Sequence, residues 1–596
     1  MRPFQFVTTT ALFLLLAATP RAGAVDAPIA DAAMNRDREA IEALLATGNE
    51  INAAQGDGMT GLHWAATNGD LHITELLLAA DANLGATTRL GAHTPLHVAS
   101  RAGHAEVALT MLEAGANPTA RTSTGATALH FAALAGKPAT IKALLKKGAE
   151  PDAREPVWGQ TPLMFAAAAG RVSAIKALLQ GGADHGLTAR VVDIAARNTE
   201  DQADSRRRRT RLARTNVARS PDPQSRDGRQ RRSRASGIQP SANTRQQSTG
   251  GSSTGGSSAA IEAELQEEPE PLGFADLVGS HGGLTALLLA ARDGHTDTAI
   301  ALIDGGSDIN QVSAADGTSP LLIATINGHF DLAVLLVAMG ADPTLASRAG
   351  ATPLYGALNI NWAPKARHPQ PTDYQQQNTS YLELMTTLLE AGANVNARLT
   401  KSLWYTTYNR DLLGVDRTGA TAFWRAAYAL DIAAMRLLLT HGANPHLQTV
   451  KVPSRRRTAD PDPSGLPPVP LGGPAVPPLL AASGVGYGQG YAGNSHRHIE
   501  GGWLPAVRFL VEELEADVHA RDHNGYNAIH HAAARGDNEL IAYLVGKGVD
   551  VTQVSRQGQT TVDMANGPVQ RIQPFPSTIA LLESLGATNS HRCLSC

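Results

Sequence analysis

Apolar positions along this chain come in short paired runs of helical period, with polar residues and glycines between them. Residues 92–124, AHTPLHVASRAGHAEVALTMLEAGANPTARTST, show the pattern most cleanly. Pro95 can open a first helix, because its missing N–H goes unused there. Leu96, Val98 and Ala99 form a small apolar face, and Gly103 breaks the run. Val107, Leu109, Met111 and Leu112 recur at helical spacing in a second run. Gly115 ends that run, where a left-handed residue is cheapest. The spacing predicts two short helices packed back to back, followed by an extended turn. Such a unit cannot bury its own apolar face, so it needs copies of itself.

The copies are present. The tetrapeptide at Thr94 recurs with drift at Thr60, Thr127, Thr161, Thr285, Ser319, Thr352 and Thr421, and weakly at Pro477, Asn527 and Thr560. Intervals of 34, 33 and 34 residues separate the first four copies. Gly103-His104, Gly294-His295 and Gly328-His329 mark the turn between paired helices, and Leu-Glu-Ala-Gly-Ala-Asn closes the second helix at 112–117 and again at 389–394. This resembles the ankyrin repeat, whose period is about 33 residues with a T-P-L-H-x-A signature. The resemblance implies an all-α solenoid of roughly ten helix-turn-helix repeats with capping ends. It also implies that His63, His97, His130 and His530, and the turn residues His104, His295 and His329, are structural. Finger turns and first helices would form a concave surface that grips protein partners.

Residues 29–57 read as an N-terminal half-repeat, with Ile41, Leu44 and Leu45 on its second helix. Regular repeats then fill the array at 29–197, and residues 191–196, VVDIAA, look like the first helix of an unfinished unit. Residues 198–272 break the pattern: Arg206 to Arg209, many further arginines up to Arg245, Ser/Gly tracts, then Glu262, Glu264, Glu267, Glu268 and Glu270. With so few apolar residues, this stretch is expected to be a disordered linker dividing the solenoid into two arrays. The second array, 273–590, carries insertions at 359–380, 399–416, 446–476 and 483–502, and a proline-interrupted cap at 558–587.

Composition adds little except at the ends. Apolar content is 43%, aromatics only 4%, and the net charge of −3 makes no global case for nucleic acid or an anionic membrane. Arg2, the apolar run Ala11 to Ala18 and Ala22-Gly23-Ala24 read as a secretory signal cleaved after Ala24. That run is too short to span a bilayer, and no later stretch is long enough. The expectation is an exported protein, periplasmic or secreted, without membrane insertion and monomeric.

No nucleophile elbow, phosphate loop or paired-histidine zinc signature is present. Residues 484–490, GVGYGQG, read as a flexible loop, and His496-Arg497-His498 as solvated histidines. The arginines of 206–245 could neutralise a polyanion, but no aromatic lies among them for base stacking. Aromatics do cluster in the insertions: Trp404, Tyr405 and Tyr408 in an enlarged finger, with Trp362, Tyr487, Tyr491 and Trp503 in or beside the others. Such residues are favoured contact anchors; equally, they could pack the insertions onto the solenoid. Cys593 and Cys596 form a C-x-x-C that could close a disulfide, act in redox exchange, begin a truncated c-type haem motif, or join His591 as metal ligands. The expected function is therefore non-enzymatic: an exported bacterial scaffold holding a protein partner around 359–416 and 483–503, without cofactor or nucleic acid. A redox component using the terminal C-x-x-C is the alternative.

Overall fold

The computed structural model describes residues 26–218, 269–364, 370–406, 413–454, 462–488, 490, 493–567 and 573–592. The repeat at Thr94 shows how each unit is built. The Thr94 backbone N–H donates to His97 Nδ1 (3.1 Å), while the Thr94 hydroxyl receives the His97 backbone N–H (3.4 Å). Two orphan donors of the first turn are thus satisfied reciprocally. The helix Pro95–Ala102 follows, and Gly103 closes it at φ +82°, a conformation that disfavours any side chain. The second helix, Ala105–Glu113, buries Val107, Ala108, Met111 and Leu112.

First helices stack on first helices in an unbroken row from Pro28–Met34 to Thr561–Ala565. The turn residues tie neighbouring units together: His104 Nε2 meets the Thr67 carbonyl (3.3 Å) and His329 Nε2 the Arg292 carbonyl (2.9 Å). The first unit is a full helix pair, Pro28–Met34 and Arg38–Ala46, where a half-repeat was expected. Its first helix is only seven residues of mostly alanine, too short to show a period in sequence.

The expected division into two arrays is not what the chain builds. The unit of Pro162–Ala168 and Val172–Gln180 stacks directly on that of Ala286–Arg292 and Thr296–Asp304. His295 Nε2 reaches the Ala168 carbonyl (3.2 Å), Gln311 Nε2 donates to the Gly186 carbonyl (2.8 Å), and the Ala189 N–H donates to Leu284 (2.9 Å). Residues 191–196 do not begin another unit. Val191–Asp193 pairs antiparallel with Ser280–Gly282 at the finger, and the chain then leaves along a helix, Ile194–Ala218. The long segment is thus an insertion in one finger of a continuous solenoid.

Residues 198–218, expected to be disordered, lie in that helix. Its order needs no apolar face. Glu200, Asp201 and Asp204 occupy its N-terminal half and the arginines follow, which complements the helix dipole. Asp204 pairs with Arg207 at 3.4 Å. The serine, glycine and acidic stretches up to residue 268 lie outside the described residues.

Candidate partner-binding surface

The residue directly after each T-P-L-H tetrapeptide lies on the side of the first helix that faces the fingers. In the early repeats this position holds Trp64, Phe131 and Phe165, all partly exposed, with Val98 buried among them. Trp64 is oriented by its indole N–H, which donates to Gln55 Oε1 of the adjacent finger (2.8 Å). Phe131 stands edge-on to His93 and His97, with ring centres 5.3 and 5.8 Å away, and Phe165 edge-on to His130 at 5.0 Å. Nearby lie exposed Leu134 on the first helix and, at the fingertips, Leu90 (84% exposed) and Trp158 (51%).

The histidines beneath these rings are structural, as the repeat resemblance implies. In His63, His97 and His130, Nδ1 accepts the N-cap threonine N–H, and Nε2 donates to a carbonyl of the following finger at 3.0–3.2 Å. Both ring nitrogens are spent in the neutral form, leaving no site for an extra proton. Burial pulls His97 and His130 down to about 4.

Later in the chain the same face is closed. All seven residues of the helix Ala422–Tyr428 are buried, including Trp424 (0% exposed), Arg425 (1%) and Tyr428 (2%). The insertions cover it. The Ile499 N–H donates to the Ala429 carbonyl (3.0 Å), and His496 lies 4.3 Å from the Tyr428 ring. Arg425 donates to Asn359 Oδ1 (3.0 Å) and to the Trp362 carbonyl (2.5 Å), and the Trp362 indole N–H and Tyr381 hydroxyl share Asp431 Oδ2 (2.9 and 2.7 Å). Burial and that carboxylate push the Tyr381 hydroxyl well above its usual range.

The described aromatics among those singled out in the insertions are therefore engaged within the chain. Trp362 is tied to Asp431. Tyr487 and Trp503 meet at 5.7 Å in a near-perpendicular pair, and the Arg535 guanidinium lies 3.5 Å over the Trp503 ring. Tyr405, its hydroxyl buried and pushed upward by desolvation, packs against Trp404 at 5.9 Å, in a finger that touches the helix Phe274–Val278. Of the two readings open for these residues, the geometry favours packing the insertions onto the solenoid.

The glycine-rich segment is a correction as well. Gly484, Val485, Gly486 and Gly488 are buried, and a Cβ at Gly486 would fall 2.8 Å from the Leu413 carbonyl. The glycines serve close approach of backbone to neighbouring elements. His496, expected in solvent, is buried and pulled well below its ordinary value by desolvation. Tyr408, Tyr491, Cys593 and Cys596 lie outside the described residues. Among the described residues no group of three His, Cys, Asp or Glu side chains is arranged to hold a metal, and no helix is long and apolar enough to cross a membrane.

Trp64, Phe131, Phe165 and Trp158 were missed from sequence. A signal existed: three of them follow the fourth residue of a repeat signature, one period apart or a multiple of it. Their regular placement made them look like architecture.

Comparison with known proteins agrees with the fold. Models of ankyrin repeats match residues 29–122, 120–189 and 263–347, and again 495–539 and 524–556. Curated relatives include palmitoyltransferase Hip14 of Drosophila melanogaster, 34% identical over 16% of this chain and 14% of that protein. The ankyrin repeat and SAM domain-containing protein 6 of Rattus norvegicus is 31% identical over 15% of this chain and 11% of its own length. The tyrosine-protein kinase Shark of Drosophila melanogaster is 31% identical over 16% and 10%. The chain spans only these small shares of such relatives, and their activities are theirs. With its signature, its stacked helix pairs and these matches in agreement, the chain belongs to the ankyrin-repeat family.

Proposed function

We propose that this chain is a non-enzymatic scaffold that grips a protein partner on the inner face of its early repeats, between about residues 55 and 193. One observation carries this reading. At the position after the repeat signature, Trp64, Phe131 and Phe165 are partly exposed and Val98 alone of the early four is buried, whereas Leu289, Ile323, Gly356, Arg425 and Ala481 are all buried. The early inner face is open and aromatic; the later one is occupied by the chain itself. Large rings in such a surface bury much area at low rotamer cost, which is what contact hot spots require. The N-terminal pattern at Arg2, Ala11–Ala18 and Ala22–Ala24 supports export, with the mature chain starting at Val25.

Affinity capture with the wild type and a Leu134→Ala/Trp158→Ala variant tests the surface. A protein retained by the wild type and lost by the variant supports the reading. A partner set retained equally by both overturns it, since both side chains are exposed and their removal leaves the core intact. N-terminal sequencing of the protein from an expressing bacterium's periplasm tests export.

A further inference from the structure

Charge on the same face narrows the partner. Across the fingers and first helices between residues 53 and 193, the cationic side chains are Arg89, Arg101, Arg121, Arg154 and Arg190, all exposed. In the hairpin turns of these fingers the carboxylates are Asp57, Glu155 and Asp193, each accepting from backbone donors, while Asp81, Glu150, Asp152 and Asp184 lie where the second helices run into the fingers. Asp57 accepts from Met59 N (2.9 Å) and Asp193 from Ala196 N (2.9 Å). Glu155 is buried and accepts from Val157 N (2.7 Å), Trp158 N (2.8 Å) and Gln160 N (2.9 Å). The acidic groups build the finger turns and keep their charge, so the five arginines outnumber the three carboxylates of the hairpin turns and do not stand alone.

The arginines behave differently. Arg89 donates across to the Gly56 carbonyl (2.7 Å), Arg121 to Arg154 (2.8 Å) and Arg154 to Thr188 (2.7 Å), forming a ladder from one finger to the next. Carbonyl acceptors carry no charge to cancel the guanidiniums, so the ladder is fixed in place and remains positive. Arg101 and Arg190 add exposed charge at the helix end and the last finger of this region. The apolar groups interleaved with this charge are Phe131, Leu134, Phe165 and Trp158.

Resting on the proposed binding function, we infer that the partner presents an acidic polypeptide segment studded with aromatic or aliphatic side chains. The carboxylates would meet the finger arginines, and the apolar side chains would enter between Phe131, Phe165 and Trp158. Complementary charge of this kind sets partner choice and association rate, and salt screens it. A nucleic-acid strand fits less well: the Phe131 and Phe165 rings stand edge-on to histidines, and the aliphatic Leu134 offers a base no face to stack on.

The test is selection of a random-peptide phage library on the immobilised full chain. The expected enrichment is for peptides of net negative charge carrying aromatic or branched residues. Their affinity should fall roughly tenfold in an Arg101→Glu/Arg190→Glu variant, fall with added salt, and be lost in Leu134→Ala/Trp158→Ala. Enriched peptides that are neutral or basic, yet still lost with Trp158, would overturn the charge inference while leaving the binding surface standing. Peptides indifferent to Leu134 and Trp158, or no enrichment at all, would bring down both. A single-stranded DNA oligonucleotide bound more tightly than the selected peptides would reassign the surface to a phosphate polymer and overturn the inference. Circular dichroism of both variants, matching the wild type, keeps each loss attributable to the surface.

Discussion

The repeats before residue 193 and those from residue 285 onward share a backbone plan but use their inner faces in opposite ways. Three early units spend their third helical position on histidine (His63, His97, His130), which binds the neighbouring finger, and a fourth places Met164 there; partly exposed rings lie above. Four later units put Leu288, Leu322, Tyr355 and Trp424 there, although histidine returns at His530, and the chain's own insertions cover the inner face around Trp424. A repeat array can thus be either an open surface or a closed core, depending on whether its insertions fold back.

The sharpest way to break the comparison is paired truncation. Trp424→Ala should cost about 3–5 kcal/mol of stability, as expected for removing a fully buried large ring. Trp158→Ala should stay within about 0.5 kcal/mol. Equal costs in denaturant unfolding would show that the later face is not closed.

Acidification should test the histidine ties of the early repeats next, on top of the acid sensitivity that buried His496 and His530 give the later region. His97 and His130 have an ordinary value of 6.5 when unfolded and about 4 when folded, because burial opposes their charging. Between those values the unfolded chain binds more protons, so stability is complete above pH 6.5 and falls as pH drops toward 4. Each histidine contributes a slope of at most about 1.4 kcal/mol per pH unit. A His97→Leu/His130→Leu variant, imitating Leu322, should flatten that slope in chemical denaturation measured across pH 4–7. An unchanged slope would refute the assignment.

A smaller effect tests the shared plan. Thr94→Ala removes a cap hydroxyl that receives the His97 N–H, and should cost about 1 kcal/mol in a thermal or denaturant melt. Thr421→Ala, which removes the same cap before Trp424, should cost a similar amount in the closed region. The smallest change is expected from deleting residues 219–268. If the solenoid is continuous through His295 and Ala168, the variant should unfold with the wild-type profile and a midpoint close to that of the wild type. A new, separate transition would restore the picture of two arrays.

The fold was legible wherever its determinants are local. Thr94, Pro95, His97, Gly103 and Gly115 act within a few residues, so they announce themselves in sequence. The helix Ile194–Ala218 was not legible, because a helix held by end charges and good helix formers carries no apolar period. The stacking across the long insertion was equally hidden: His295 finds Ala168 across 127 residues, and local pattern cannot say which unit meets which. At the candidate surface, aromatic scarcity drew attention to Trp362, Tyr487 and Trp503. Composition does not distinguish a ring that faces a partner from one that faces Arg535.

By itself, then, the sequence determined the repeat unit, its caps, its histidine ties and its helical class, because each rests on contacts inside one period or between adjacent ones. Only the tertiary structure decided that the row of first helices runs unbroken, that the later inner face is filled and that the early one stays open with its arginine ladder. Those outcomes depend on where insertions land after folding. Landing is set by long-range burial such as that of Trp424 and Gly486, which no short window of residues contains.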